Sequence, residues 1–312
     1  MAAAAPQVAV AIRNVLVATD FSPCSERAVL HAVAAARRFG STLHVVHVMN
    51  PAMFSIGPPE GYMGGAEALD RALQLTRVEI EARLGEVLHR TRCAELRHRA
   101  WVDVGGTGET LRAFIRREHI DLAVVGTHGR TGLRKMVLGS VAEDVFRNAI
   151  CPVLTVGPHS WNSDPQTVRL KHILFPTDFS EDSANALPFT LAIAADFGAA
   201  VTMLHVVERL DDDAAHDRAR VETALQGRLR EMLAVSAPHG VRADFNVAFG
   251  DVEDVVLQTA ASLDADLIAF GLKAPDTYVD RLPWMHAYKI VCEATCPVLS
   301  LRGRSRAAQS FH

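Results

Sequence analysis

The chain has 312 residues, which at roughly 150 residues per domain suggests two domains. Its 32 Lys+Arg against 36 Asp+Glu leave a net charge of −4, which argues against the basic stripe by which nucleic-acid binders hold phosphate backbones. At 49% hydrophobic and 22% charged it has an ordinary globular composition, and no apolar run reaches the roughly 18 residues that a membrane helix needs.

Met1 to Val10 is apolar but has no basic n-region and no clear cleavage site, so it does not read as a signal peptide. The run 15–19 is short, apolar and β-branched, a strand. Ser22 then offers a helix N-cap and Pro23 suits the first helical position. Ala28, Val29, Ala32, Val33 and Ala36 recur at helical spacing until Gly40, a C-terminal glycine. A strand over 42–49, a long helix over 66–92 and a strand over 99–104 come next. They are followed by a helix over 109–118, a strand over 121–126, a helix over 141–149 and a strand over 152–156. Strands alternating with helices in this way imply parallel β-α-β units with right-handed crossovers.

The pattern then repeats. Asn14-Val-Leu-Val-Ala-Thr-Asp20-Phe-Ser matches His172-Ile-Leu-Phe-Pro-Thr-Asp178-Phe-Ser at an offset of 158, and Phe39-Gly40 and His47-Val48 keep that offset. Asp121-Leu122, Gly126 and Cys151-Pro-Val-Leu154 match Asp266-Leu267, Gly271 and Cys296-Pro-Val-Leu299 at 145, so the first copy carries a net insertion of 13 residues. Its place is the Gly/Pro/Met-rich stretch from Asn50 to Gly65. In the second copy Ser180 caps a helix that has Glu181 and Asp182 in its positive first turn and stops at Gly198. Residues 157–165 have the turn chemistry of a linker. The expected architecture is α/β, two tandem doubly wound domains covering 1–158 and 170–303.

One stretch carries chemistry. Gly126-Thr-His-Gly129-Arg-Thr-Gly132-Leu-Arg-Lys-Met-Val-Leu-Gly139-Ser140 leaves a buried strand and opens a helix. Gly126 and Gly129 have no Cβ to keep main chain away from a ligand. Gly139 and Ser140 stand where the helix exposes unpaired N–H groups and a positive dipole end, a site suited to phosphate. Arg130, Arg134 and Lys135 add positive charge. A second account competes: Ser140-Val-Ala-Glu143 is also a capping box, in which the helix satisfies its own amides. Neither GxxxxGK[ST] nor GxGxxG occurs, and Gly105-Gly-Thr-Gly108, after the third strand, reads as a turn.

The Thr-Asp20-Phe-Ser turn, the Gly126-x2-Gly129-x9-Gly139-Ser140 spacing and the closing Ala149-Ile-Cys-Pro-Val-Leu-Thr-Val156 together resemble the universal stress protein family, and the whole chain resembles a tandem member. The resemblance implies a five-stranded parallel sheet of order 3-2-1-4-5 in each copy, with ATP at the carboxyl ends of strands 1 and 4, where open α/β sheets bind ligands. It places Ala18, Thr19 and Asp20 at the adenine and ribose, with Val48 against the base. Val125 and Gly126 continue the nucleoside wall, and His128, Gly129, Arg130, Gly139, Ser140 and Val141 surround the phosphates. Asp20 either contacts the ligand, with Mg²⁺ or Mn²⁺ held beside the phosphates, or caps its own loop. The resemblance also implies pairing through the last strand, here as an intramolecular pseudo-dimer, with a homodimer of two chains as a further level.

The second copy departs from that pattern. Gly271 is kept, but Gly129 becomes Ala274, Gly139 becomes Trp284, Ser140 becomes Met285 and Glu143 becomes Tyr288. Pro275 and Pro283 remove two N–H donors, and Asp276 and Asp280 bring negative charge. Loss of ATP binding is expected there, with Trp284 and Tyr278 as stacking surfaces for a different ligand.

The remaining clusters are bland. Cys24, Cys93, Cys151, Cys292 and Cys296 form no CxxC pair, read as buried small hydrophobes, and suit a reducing cytoplasm. His44 and His47 fall on opposite faces of one strand. Arg302, Arg304 and Arg306 read as a solvated basic end. Three functions follow: a cytoplasmic ATP-binding sensor or regulator of the stress response, a slow ATPase or phosphotransferase using Mg²⁺ or Mn²⁺, and a partner-binding scaffold with a vestigial nucleotide site. No nucleic acid or membrane partner is expected.

Overall fold

The computed structural model describes residues 11–50, 65–127, 138–158, 160, 170–208, 218–236, 240–273 and 281–302. Most of the 50–65 insertion, His128, Gly129, Arg130, most of the linker, residues 274–280, Arg304 and Arg306 lie outside them, as does the side chain of Trp284.

The amino-terminal half runs β1 (Asn14–Ala18), α1 (Pro23–Phe39), β2 (Thr42–Met49), α2 (Gly65–Arg90), β3 (His98–Val104), α3 (Thr107–Arg117), β4 (Leu122–Gly126), α4 (Ser140–Asn148) and β5 (Val153–Val156). The second half repeats it as β6 (His172–Pro176), α5 (Glu181–Phe197), β7 (Ala200–Val207), α6 (Arg218–Ser236), β8 (Ala243–Phe249), α7 (Val252–Ser262), β9 (Leu267–Gly271), α8 (Arg281–Glu293) and β10 (Val298–Leu301). Most bounds lie within a residue or two of those expected from periodicity. α2 ends at Arg90, and Arg92 in the left-handed region (φ 53°) turns the chain into a short 3-10 turn at 93–95.

The caps are those that the sequence called for. Ser22 accepts from the Ser25 amide with Pro23 just inside α1, and Gly40 closes it at φ 64°. Ser180 and Gly198 (φ 66°) do the same for α5. The Gly105–Gly108 segment is a turn that starts a helix: Gly105 has φ 156° and Gly106 precedes the first residue of α3.

Pairing within each half is parallel, in the orders β3-β2-β1-β4-β5 and β8-β7-β6-β9-β10. The last strands then pair antiparallel, Thr155 with Val298, Leu154 with Leu299 and Val153 with Ser300, so the halves share one ten-stranded sheet. The Thr155 hydroxyl donates to the Val298 carbonyl across the join (3.1 Å). Alternation along β1 sends Val15 and Val17 to one face and Leu16 to the other, and each face carries a core containing residues of both halves.

Arg302 corrects the expected solvated end. Its guanidinium donates to the carbonyls of Phe146 (2.9 Å), Arg147 (2.6 Å) and Lys273 (2.7 Å), so the residue after β10 satisfies the exposed end of α4 in the other half. Burial pulls its pKa down to about 10 against the nearby Asp182 charge.

Between the halves, a small apolar cavity of about 70 Å³ is lined by Ile12, Phe39, Leu170 and Phe197, with His31 of α1 in its wall. Burial lowers the His31 pKa to about 4. Because this is below the ordinary value near 6.5, the unfolded chain takes up the proton first as pH falls, and stability drops between pH 6.5 and 4. The loss is about 3 kcal/mol at most, from 1.36 kcal/mol per pKa unit. Urea unfolding at pH 7 and at pH 4.5 should show His31→Phe, which copies Phe189 of the second half, with a visibly smaller loss than the natural chain. An unchanged slope would place the acid sensitivity elsewhere.

Candidate functional site

The strand order reverses between β1 and β4, so the carboxyl ends of these strands splay apart and leave a crevice. Ala18 and Val48 are half-buried and Val125 is buried, and all three belong to the core face that holds Leu16 and Val46. They form an apolar wall at the mouth of the crevice. Thr19, buried, donates its amide to the Val46 carbonyl (3.0 Å) and prolongs the pairing by one residue.

The chain then turns sharply. Asp20 Oδ1 accepts the Ser22 amide (3.0 Å), which matches the loop-capping account of this carboxylate. Phe21 has φ 62°, costly for a bulky side chain. Several contacts hold it there. Its amide donates to Thr19 Oγ1 (3.1 Å), its ring stacks on His47 (4.9 Å between centroids), and the Arg83 guanidinium lies 4.3 Å from the ring centre. His47 Nδ1 is 2.8 Å from the Thr19 carbonyl. The second half repeats each contact: Phe179 at φ 61°, Thr177 Oγ1 on the Phe179 amide, His205 on the Thr177 carbonyl (2.8 Å), and Arg228 over the Phe179 ring (4.2 Å). The strain is over-determined in both halves alike, so it belongs to the duplicated frame and does not by itself distinguish one crevice from the other. Inspection of the sequence gave His47 and Phe21 no role, although the offset of 158 had already matched His47 with His205.

On the opposite side of the crevice the structure corrects the account of Gly126. A Cβ there would meet the Cys24 carbonyl carbon and oxygen at 2.9 Å, so the first turn of α1 by itself requires the glycine. Gly271 is in the same position against the Asp182 carbonyl, which explains why the second half keeps it.

The loop that follows is closed at its base. The Gly139 amide donates to the Thr127 carbonyl (2.7 Å) and is therefore spent on the chain itself. The Leu138 amide donates to the Tyr288 hydroxyl of the other half (2.9 Å). α4 begins at Ser140 with Gly139 in the cap position and no side-chain cap, so the capping box read from Ser140 and Glu143 does not form. Glu143 instead pairs with Arg147 (3.1 Å), one turn on. The first intrahelical bond runs from the Glu143 amide to the Gly139 carbonyl, and the amides of Ser140, Val141 and Ala142 precede it. These are the donors a helix leaves without an internal partner, and with the dipole they favour an anion. Ser140 is exposed and Val141 half-buried.

Among the described residues the second half differs at the matching place: α8 begins at Arg281, so Met285 and His286 lie within the helix and not at its start. His286 stands in the place of Val141, with Nδ1 3.0 Å from Glu253 and Nε2 3.8 Å from Glu208. Asp178 accepts both the Ser180 amide (2.9 Å) and the Ser183 hydroxyl (2.7 Å). Burial raises its pKa, but these hydrogen bonds outweigh burial and hold it below the usual carboxylate value. Three carboxylates thus border this crevice. The cysteines are unbridged, and burial pushes the thiols of Cys151 and Cys296 up to about 12. Among the described residues no helix is long and apolar enough to cross a membrane, and no three His, Cys, Asp or Glu converge as a metal centre.

Comparison with known proteins gives a consistent picture. The universal stress protein family matches residues 11–157 and again 169–302. A universal stress protein of Methanocaldococcus jannaschii is 30% identical over 144 residues, 46% of this chain and 81% of that protein. Universal stress protein A homolog 1 of Coxiella burnetii is 33% identical over 147 residues, 46% of this chain and 95% of its own. The crystal structure of a universal stress protein from Archaeoglobus fulgidus shares the fold with a TM-score of 0.68 at 17% identity, covering 94% of this chain and 97% of that one.

The glycine account makes a prediction. Gly126→Ala should destabilise the protein by about 1–3 kcal/mol, the usual range for overpacking, read as a lowered thermal midpoint without any ligand. A midpoint equal to that of the natural chain would show that the strand end has room and would return Gly126 to the ligand.

Proposed function

The chain belongs to the universal stress protein family, and on that premise we propose that it is an ATP-binding regulator whose amino-terminal half alone holds the nucleotide. The observation that carries this reading is the uncapped start of α4, set across the crevice from the Thr19–Ser22 turn and preceded by the complete Gly126-x2-Gly129-x9-Gly139-Ser140 spacing. Ala18, Val48 and Val125 would face the base, with Thr19 and Asp20 at the ribose. Ser140 and Val141 would offer main-chain amides to the phosphates, and the Ser140 hydroxyl one more donor. His128, Gly129 and Arg130 complete the phosphate side by their place in the spacing. Gly126 and Gly139 serve by setting the path of the chain.

Mg²⁺ or Mn²⁺ would travel with the phosphates and offset their charge, with Asp20 as the protein ligand. Because Asp20 is engaged with the Ser22 amide, a holding role suits it better than proton transfer. A regulator, switched by whether the crevice is filled, follows more directly than an enzyme. The unbridged cysteines suit a reducing cytoplasm.

Calorimetric titration is the test. One ATP per chain is expected, and two per chain would overturn the asymmetry. Gly139→Trp, which writes the second half's residue into the first, should weaken binding at least a hundredfold while leaving the circular dichroism spectrum unchanged. Undiminished affinity in that variant would contradict the placement of the phosphates.

A further inference from the structure

The hydrogen bond between Leu138 and Tyr288 joins two things that the sequence keeps 150 residues apart. Leu138 is the residue before Gly139, at the point where the Gly-rich loop of the amino-terminal half meets α4. Its side chain is buried, and its amide points across the junction to α8 of the other half. An amide in such a place needs an acceptor, since leaving it unmet forfeits the hydrogen bond it had in water. Tyr288 supplies one.

The repeat shows that this contact is one-sided. At the offset of 145, Tyr288 occupies the position of Glu143, and Leu138 the position of Pro283. The mirror-image bond would run from residue 283 to residue 143, and proline has no N–H to give. The half with the complete glycine spacing therefore has the donor, and the half with the degenerate spacing has the acceptor. Two further contacts make the junction specific. The Cys292 thiol, one turn beyond Tyr288 on α8, faces the same Leu138 amide and the Tyr288 hydroxyl, and burial pushes its pKa up to about 11, so it stays a neutral thiol. The Glu143–Arg147 pair of α4 acts electrostatically on the phenol, the carboxylate and the guanidinium in opposite directions.

We propose that Tyr288 is a positioning residue for the start of α4: the half that has lost its own nucleotide motif fixes where the other's phosphate-facing amides begin. The Gly139 bond to Thr127 and the Leu138 bond to Tyr288 hold adjacent amides, one within the half and one from outside it. With both in place, the start of α4 is fixed before any ligand arrives, which reduces the ordering cost of binding. The second half then acts on the first half's ligand without touching it. This inference rests on the reading of the amino-terminal crevice as a triphosphate site.

The test uses the full chain and Tyr288→Phe, which keeps the ring and removes the hydroxyl. ATP affinity should fall roughly five- to tenfold with the stoichiometry unchanged, the range that loss of one positioning hydrogen bond allows. Adenosine, which has no phosphates, should bind both proteins equally if it binds at all, a distinction that a general loss of structure would not produce. Amide hydrogen exchange across 138–143 should quicken in the variant while β1 and β2 keep their protection. Equal ATP affinity and equal exchange in the two proteins overturn the positioning role alone, and so does a parallel loss of adenosine and ATP. A natural chain that binds no ATP overturns the reading of the crevice and this coupling with it.

Discussion

Three residue pairs between two short strands hold the plan of this molecule together. β5 and β10 each end a parallel sheet, and alone each would leave a row of unpaired N–H and C=O groups on an edge. Their antiparallel union removes both edges at once, and the hydroxyl of Thr155 adds a bond across the join. Both cores become continuous across that join. Because the pairing is antiparallel, the halves are related by a pseudo-two-fold axis, which brings like elements face to face. Both ends of α4 are therefore reached from the opposite half, its carboxyl end by Arg302 and the residue before it by Tyr288.

Within this near-symmetric frame, what is duplicated and what has diverged separate along physical lines. The Thr-Asp-Phe-Ser turn, its strained phenylalanine, the histidine beneath it and the arginine above it occur in both halves, because they hold a turn that the fold needs. Gly126 and Gly271 are both kept because a helix turn packs against each strand end. Gly139 and Ser140 are not kept, and in the second half they become Trp284 and Met285. His286 there sits with its Nδ1 3.0 Å from a Glu253 carboxylate oxygen instead. Repulsion between Asp178, Glu208, Glu253 and a polyphosphate would act against binding in that crevice.

Much of this was legible in the sequence, and for local reasons. Caps such as Ser22, Gly40, Ser180 and Gly198 declare themselves because their chemistry involves only neighbours within a few residues. The repeat offsets declared the duplication, while the strand order and the pairing of the last strands came from the resemblance that the Thr-Asp-Phe-Ser turn and the glycine spacing carry. The features that escaped depend on groups far apart in the chain. Nothing near Gly126 announces that Cys24 lies over it, and nothing near Arg302 announces the carbonyls of Phe146 and Arg147. The capping box failed for a subtler reason. Ser140 is one residue too late to cap, since the tight Gly139–Thr127 bond places the start of the helix there, inside the supposed box. Tyr288 looked like a simple loss of Glu143 until its partner was seen across the junction.

The central claim is that one crevice of two accepts a triphosphate, and photolabelling tests it most directly. The natural chain would be irradiated with an azido derivative of ATP, with and without excess ATP, and the labelled peptides identified by mass spectrometry. The account predicts label confined to segments around residues 14–50 and 122–148 and suppressed by ATP. Label on residues 172–208 or 267–290 that ATP suppresses equally would contradict it, as would label that ATP does not displace.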